Sequence, residues 1–470
     1  MQMNKTPMPE QDPRVRTHNF EEVATGYTAE MAIQEAQRCL DCRHKPCVEG
    51  CPVNVKIPDF IRLLKKGDAR AAYDVIRQDN ALPAICGRVC PQETQCEARC
   101  VRGVKGEPVG IGRLERYAAD TAMAEEAAGE TKAKTENAKA RVAVVGSGPA
   151  GLSCAGELNH MGYDVTVFEA LHAPGGVLVY GIPEFRLPKQ LVRREIDGLE
   201  RAGVKIVTNA VIGKSITLNE LLEEEGFSAA FVGSGAGLPR FQNIEGEQLS
   251  GVYSANEFLT RVNLMKAYRF PEYLTPVRAG RRVAVVGGGN VAMDAARCAL
   301  RLGAEKVMIV YRRGEEEMPA RREEIEHARE EGVEFALLTN PVKFTGDENG
   351  SVTGMTCVRM ALGEPDASGR RRPAPVPGSE FETEISCAVI AIGNSPNPLI
   401  AQTTPGLETQ KWGGIVVKGD TLATSVPGVY AGGDAVTGAA TVILAMGAGK
   451  KAAREIDEYL RAKNGEDAKA

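Results

Sequence analysis

From residue 141 onward, apolar runs of four or five mostly β-branched residues are each followed by a glycine turn and then by apolar positions at helical spacing. This is the grammar of parallel strand–helix–strand units. It occurs in full in 142-VAVVGSGPAGLSCAGELNHMGYDVTVFEA-170 and again in 283-VAVVGGGNVAMDAARCALRLGAEKVMIVYRR-313. A partial copy, 428-GVYAGGDAVTGAATVILAMGAGKKAAREIDEYL-460, runs strand, glycine turn and helix. Before residue 120 the pattern is different. Short helical stretches such as 28-TAEMAIQEAQRCL-40 and 58-PDFIRLLKKGDARAAYDVIRQ-78 occur with few strand signals, which predicts a small α-helical domain. Residues 121–140 are rich in Ala, Glu and Lys without aromatics and read as a solvated helix or linker.

The glycine turns carry chemistry. Gly146, Gly148 and Gly151 form G-x-G-x-x-G directly after a strand, and Glu169 ends the next one. In that setting the first glycine permits the tight turn, the second lets backbone approach a pyrophosphate, and the third allows close helix–strand packing. The helix N-terminus adds its positive dipole end, and the acid accepts ribose hydroxyl hydrogen bonds. In the second unit Gly287 and Gly289 precede Ala292, with Asn290 and Val291 opening the helix, and the following strand ends in Tyr311-Arg312-Arg313 instead of an acid. A 2′-phosphate is repelled by carboxylate and attracted by guanidinium, so Arg312 and Arg313 favour NADP(H), with Arg321 as a further phosphate contact.

Gly175 and Gly176 soon after Glu169, with 430-YAGGDA-435, indicate FAD in the first unit. Gly433 lets the chain pass close to a ligand, Asp434 can bond a ribitol hydroxyl, and the helix starting at Thr441 and Val442 points its N-terminus at the electron-rich pyrimidine edge. The predicted fold class is α/β: an N-terminal α-helical domain followed by two nested dinucleotide-binding, Rossmann-like domains. The boundaries read as 1–140 for the helical domain with its linker, 141–270 plus 385–470 for FAD, and 271–384 for NADP(H).

Cysteine usage adds a second site. Of twelve cysteines in 470 residues, eight fall between Cys39 and Cys100. The N-terminal residues are polar and no apolar run approaches the ~18 residues that span a bilayer, so the expected location is cytoplasmic. There, clustered thiols bind metal or do redox work rather than form disulfides. The spacing Cys39-x2-Cys42-x4-Cys47-x3-Cys51-Pro52, then Cys86-x3-Cys90-Pro91-x4-Cys96-x3-Cys100, approximates the bacterial ferredoxin run, in which the cysteine before proline serves the other cluster. Cys51 and Cys90 then belong together. Zinc would need closed four-ligand groups and would give a neighbouring flavin no role. Neither dinucleotide unit carries C-x-x-C, so this is not a disulfide reductase, and Cys154, Cys298, Cys357 and Cys387 read as packed apolar thiols. With 57 basic against 62 acidic residues, the net charge of −5 gives no reason to expect nucleic acid or anionic membrane as partner.

The segments 39-CLDCRHKPCVEGCPVNVKIPDFI-61, 87-GRVCPQETQCEARCV-101 and 111-IGRLERY-117, with 181-GIPEFRLPK-189, 318-MPARREE-324 and 431-AGGD-434, strongly resemble the NADPH-dependent glutamate synthase small subunit family. That family includes the large subunit of NADH-dependent reduced ferredoxin:NADP+ oxidoreductase and the N-terminal part of dihydropyrimidine dehydrogenase. The resemblance implies two 4Fe–4S clusters, one on Cys39, Cys42, Cys47 and Cys100, the other on Cys51, Cys90, Cys96 and Glu115. Cys86 is the competing fourth ligand of the second. It also implies that Arg186 contacts flavin.

Hydride brings two electrons and clusters take one, so a flavin between them is the converter. The expected activity is electron transfer, in either direction, between NADP(H), FAD, two clusters and a protein partner. No catalytic cysteine for glutamine hydrolysis and no (β/α)8 pattern is found, so glutamate chemistry is expected in another chain, the glutamate synthase large subunit. The alternative is the large subunit of a bifurcating transhydrogenase, working with a small flavin and 2Fe–2S subunit and ferredoxin, to which 263-NLMKAYRFPEY-273 and 441-TVILAMGAGKKAA-453 point. A dihydropyrimidine dehydrogenase-like electron-input subunit is the second alternative.

Overall fold

The computed structural model describes residues 2–125, 139–277, 279–463 and 465, so most of the expected linker at 121–140 lies outside the described residues. Helix α1, Ala29–Ala36, starts where the Thr28 side chain accepts from Met31 N. The next predicted helical stretch is two helices, α2 (Ile57–Leu64) and α3 (Ala69–Arg77). Gly67 takes a left-handed φ of 79°, which stops the first, and the Asp68 carboxylate accepts from Ala71 N to start the second. Helix α4, Pro83–Val89, begins on proline and ends before Cys90-Pro91, and α5, Ile111–Glu125, closes the domain. Phe60, Ile61, Leu64, Ile76, Ile85 and Leu114 pack between these helices without exposure to water. No strand forms before Arg141 among the described residues.

The chain continues through β1 (Arg141–Val145), α6 (Pro149–His160), β2 (Asp164–Phe168), β3 (Lys205–Val207) and β4 (Ala229–Val232). Then come β5 (Val252–Ser254), β6 (Arg282–Val286), α7 (Asn290–Arg301), β7 (Lys306–Tyr311), α8 (Arg322–Glu330) and β8 (Glu334–Leu337). Four antiparallel strands follow, β9 (Thr339–Gly346), β10 (Val352–Pro365), β11 (Arg371–Pro375) and β12 (Phe381–Glu384). Last are β13 (Cys387–Ile390), β14 (Val429–Ala431) and the long helix α9 (Val442–Lys463). The first parallel sheet has the order β14-β4-β1-β2-β3 and the second β5-β13-β6-β7-β8. In both, the glycine turn leaves the middle strand where the order reverses, which is where open α/β sheets bind ligands.

The nested arrangement holds, but the expected boundary does not. Val252–Ser254 and Cys387–Ile390, assigned from sequence to the first domain, pair as parallel strands with each other and with β6 in the second. The reason is burial: all four residues of β13 are inaccessible to water, and an apolar strand of that kind is stable only with partners on both edges. The chain crosses between domains at 238–239 and 394–395, which pair antiparallel. No helix among the described residues is long and apolar enough to cross a membrane.

Candidate functional site

The eight thiols divide around two cavities. Cys39, Cys42, Cys47 and Cys100 line one, beside Leu40 and Val101. Cys51, Cys90 and Cys96 line the other with Glu115, and Cys86 opens onto it as well. The two expected ligand sets therefore surround separate spaces, with the competing ligand facing the second. A zinc ion with Zn–S near 2.3 Å would draw its sulfurs to about 3.8 Å from one another. Among the described residues no three cysteines bring their Sγ atoms within 4.8 Å of one another. Cys86, Cys90 and Cys96 are buried, whereas Cys39, Cys42, Cys47, Cys51 and Cys100 are half-buried.

Burial pushes the Cys51 thiol up to about 11 and the Cys47 thiol up to about 12. Cys90 is raised by its hydrogen bond with Cys86 and by burial, and Cys96 by burial. Thiolates in these cavities form only against a positive group such as iron. Burial also pushes the Glu115 carboxyl up to about 7, partly opposed by the hydrogen bond that Asn80 Nδ2 donates to its Oε1 at 2.7 Å. The other end of that amide, Asn80 Oδ1, lies 3.6 Å from Cys86 Sγ, and Met446 Sδ of α9 lies 3.5 Å from the same sulfur. Asn80 thus bridges the two candidates for the eighth ligand. Nothing in the sequence pattern marked it.

The flavin candidates converge at the carboxyl ends of β1 and β14. A Cβ on Gly151 would lie 1.9 Å from Gly146 O, so only glycine lets α6 sit this close to the strand, whereas a Cβ on Gly148 would meet nothing within 4 Å. That leaves bare backbone facing open space, as a pyrophosphate site requires. The buried Glu169 carboxylate accepts from Ser147 N at 3.0 Å, from Ser147 Oγ and from Leu171 N at 2.9 Å. Ser147 Oγ also accepts from Gly175 N at 2.9 Å, which ties the first glycine turn to Gly175 and Gly176. Gly433 lies against Ala150, the Asp434 carboxylate accepts from Ala440 N at 3.2 Å, and burial raises its pKa. Thr441 Oγ1 accepts from Leu444 N at 3.3 Å at the start of α9, with Val442 its first residue.

Arg186 is already engaged. Its guanidinium pairs with Asp294 at 2.8 Å and Glu324 at 2.8 Å on the second dinucleotide domain. Burial works against that charge and the two carboxylates outweigh it. Two buried carboxylates thus engage the guanidinium that the resemblance assigns to flavin. The same cluster continues through Arg297 to Glu324 and Glu331, and through Arg16 of the N-terminal segment to Glu331 and Glu330. Five of these partners, Arg16, Asp294, Arg297, Glu324 and Glu331, carried no signal in the sequence.

Around the second glycine turn, Asn290 Oδ1 accepts from Arg321 N at 2.9 Å, drawing the 318–321 loop over Gly287 and Gly289. Val291, in the first turn of α7, is half exposed. Arg312 is exposed. Arg313 is buried and pairs with Asp366 at 2.7 Å, and the Arg321 side chain turns to Arg88 O at 3.0 Å and Glu323 at 2.8 Å. Of the three arginines, Arg312 alone presents an unengaged guanidinium among the described residues.

Residues 16–127 match a family model described as dihydropyrimidine dehydrogenase domain II, 4Fe-4S cluster, and residues 140–449 match one described as pyridine nucleotide-disulphide oxidoreductase, with an overlapping match over 104–230. The chain is 38% identical to the glutamate synthase (NADPH) small chain of Azospirillum brasilense, over 97% of this chain and 95% of that one. It is 41% identical to the NADP(+)-dependent formate dehydrogenase subunit beta of Moorella thermoacetica and 40% identical to the NADPH-Fe(3+) oxidoreductase subunit beta of Geobacter sulfurreducens, spanning 60% and 65% of those longer chains. Mycobacterium tuberculosis FprA in complex with NADPH shares the fold, at TM-score 0.58 and 21% identity over 70% of this chain and 86% of that one.

Proposed function

The chain belongs to the family of NADPH-dependent oxidoreductase subunits that includes the glutamate synthase small chains, and from that premise we propose that it holds FAD and two 4Fe–4S clusters and exchanges electrons between NADP(H) and a glutamate synthase large subunit in the cytoplasm. The observation that carries this reading is the position of α9. Its first turn caps the flavin cradle, its Ile443 lines the buried thiol cavity, and a Cβ on Gly447 would stand 3.1 Å from Pro52 O, next to Cys51. One helix thus touches both sites, and Ile57 and Ile111 line both thiol cavities.

Bound in this cradle, FAD would supply the exchange between a two-electron hydride carrier and one-electron clusters. The residues do the rest. Gly148 and Gly176 would leave room for the pyrophosphate, Glu169 would accept from a ribose, Asp434 would bond a ribitol hydroxyl, and the α9 N-terminus would offer its dipole to the pyrimidine edge. Gly287, Gly289, Asn290 and Val291 receive the second dinucleotide, and Arg312 takes its 2′-phosphate. Seven cysteines and Glu115 hold iron, with Asn80 keeping the Glu115 carboxyl turned into the cavity.

Anaerobic titration of the purified holoenzyme with NADPH tests this. Bleaching of the flavin and about eight irons per chain are expected; no bleaching, or about four irons, overturns it. Isolation of the native complex tests the partner: a large glutaminase-containing chain is expected, and a small flavin and 2Fe–2S subunit in its place would select the transhydrogenase reading.

A further inference from the structure

The mouth of the half-buried thiol cavity carries features that holding a cluster does not require. Leu40 and Val101 line it yet remain 45% and 44% exposed, and Val104, one 3-10 turn beyond Val101, is 79% exposed. The charges around this apolar patch fall into two groups. Asp41 and Asp59 are matched by Arg62 and Lys45, the Lys65 ammonium donates to Cys39 O, and Glu107 accepts from Lys5 N. Arg43, Lys66, Arg99 and Lys105 have no ion-pair partner among the described residues, and Lys65 and Arg102 donate only to uncharged acceptors, against Glu49 and Glu107 as carboxylates without an ion pair. The patch is therefore locally cationic on a chain whose net charge is −5.

We propose, on the reading of the chain as an electron-transfer subunit, that this rim is the docking surface for a redox protein whose own electron-exchanging group lies under an apolar patch ringed by carboxylates. The exposed apolar centre excludes water where the two proteins meet, and a polar rim around such a patch is the usual anatomy of a docking site. The unmatched cations steer an acidic partner into register and raise its encounter rate. Each NADPH that becomes NADP+ releases one proton to solvent and two electrons, which cross this surface one at a time and reduce two one-electron acceptors.

The probes are a soluble acidic two-iron ferredoxin and, with opposite charge, cytochrome c, each reduced by NADPH through the holoenzyme without oxygen. Ferredoxin reduction is expected to slow steeply with added salt. In the Arg43→Glu, Arg99→Glu, Lys105→Glu triple variant it slows by about tenfold, within the range electrostatic steering spans, while cytochrome c reduction speeds up. Ferredoxin affinity, measured by calorimetry, falls in parallel, and NADPH bleaching of the flavin and iron content match the parent. A triple variant that reduces ferredoxin as fast as the parent, or that slows both probes alike, overturns the docking surface. Loss of NADPH bleaching in the parent itself overturns instead the functional reading beneath it.

Discussion

At the scale of single residues, the second thiol cavity offers five side chains for four iron positions, and Asn80 touches two of them. If Glu115 is the ligand, Glu115→Ala leaves Cys86 close enough to replace it. The variant is expected to keep its iron but change the electron paramagnetic resonance spectrum of one cluster, and a Glu115→Ala, Cys86→Ala double variant to lose about half its iron. An unchanged spectrum in Glu115→Ala would assign the position to Cys86. The arginines give a second test. Removing the charge-assisted bonds of Arg312 in Arg312→Ser should raise the KM for NADPH roughly 10- to 100-fold, the worth of about 1.5–3 kcal/mol, and leave that for NADH nearly unchanged. Arg313→Ser should alter stability more than nucleotide choice, because its guanidinium already serves Asp366. Steady-state kinetics with both nucleotides separates the two. These residues also show where sequence reading stops. Glycines and cysteines announce themselves because backbone clearance and thiol chemistry need those residue types at fixed spacing. Asn80 and the carboxylates around Arg186 do ordinary polar work whose partners are set only by tertiary structure.

At the scale of elements, the strand–turn–helix units were legible because each is written locally, in a run of β-branched residues followed by glycines. The β13 strand was not, because four apolar residues carry no mark of which sheet will take them. The antiparallel pairing of β9 to β12 also went unforeseen, although Cys357 reads as lying in a strand. In β10 buried and exposed positions alternate only loosely, and its registers shift at bulges. The break between α2 and α3, by contrast, rests on Gly67 and Asp68, a recognisable stop and start hidden inside one helical pattern. The element on which the proposed function depends most is α9. A Cβ on Gly449 would stand 2.1 Å from Ala150 O and 3.0 Å from Cys154 N, both backbone atoms of α6 that cannot yield without moving the glycine turn. Gly449→Ala is therefore expected to cost about 1–3 kcal/mol as overpacking and to weaken flavin retention, seen as a lower melting temperature and loss of bound FAD on gel filtration. Gly303→Ala, whose new Cβ would meet no neighbour within 4 Å, should lose stability through its φ of 95° but retain its flavin.

At the scale of the whole molecule, the orientation of the second dinucleotide domain is fixed by charge as much as by apolar packing. Arg16 from the N-terminal segment, Arg186 from the flavin domain, and Arg297 and Arg301 from α7 converge on Asp294, Glu324 and Glu331, and the rings of Phe185 and Phe20 pack beside them, with Arg297 and Arg301 over Phe185. Burial alone would raise the Glu331 carboxyl. The guanidinium groups of Arg301 and Arg297 outweigh it and hold the carboxyl at about 2, below its ordinary value of 4.5. A carboxylate whose pKa is depressed on folding stabilises the fold above its unfolded value, and that contribution is lost as the pH falls through the folded value. Glu331 should thus supply on the order of 3 kcal/mol at neutral pH, declining from about pH 4.5 towards pH 2. Glu331→Gln is expected to melt well below the parent at pH 7, because it removes the carboxylate that Arg301 pairs with and one of the anions of Arg297 and Arg16, and the gap should narrow as the pH is lowered through that window. Melting temperatures of both proteins across the acid range check the sign. A gap that stays constant with pH would mean that packing rather than charge holds the three domains in place.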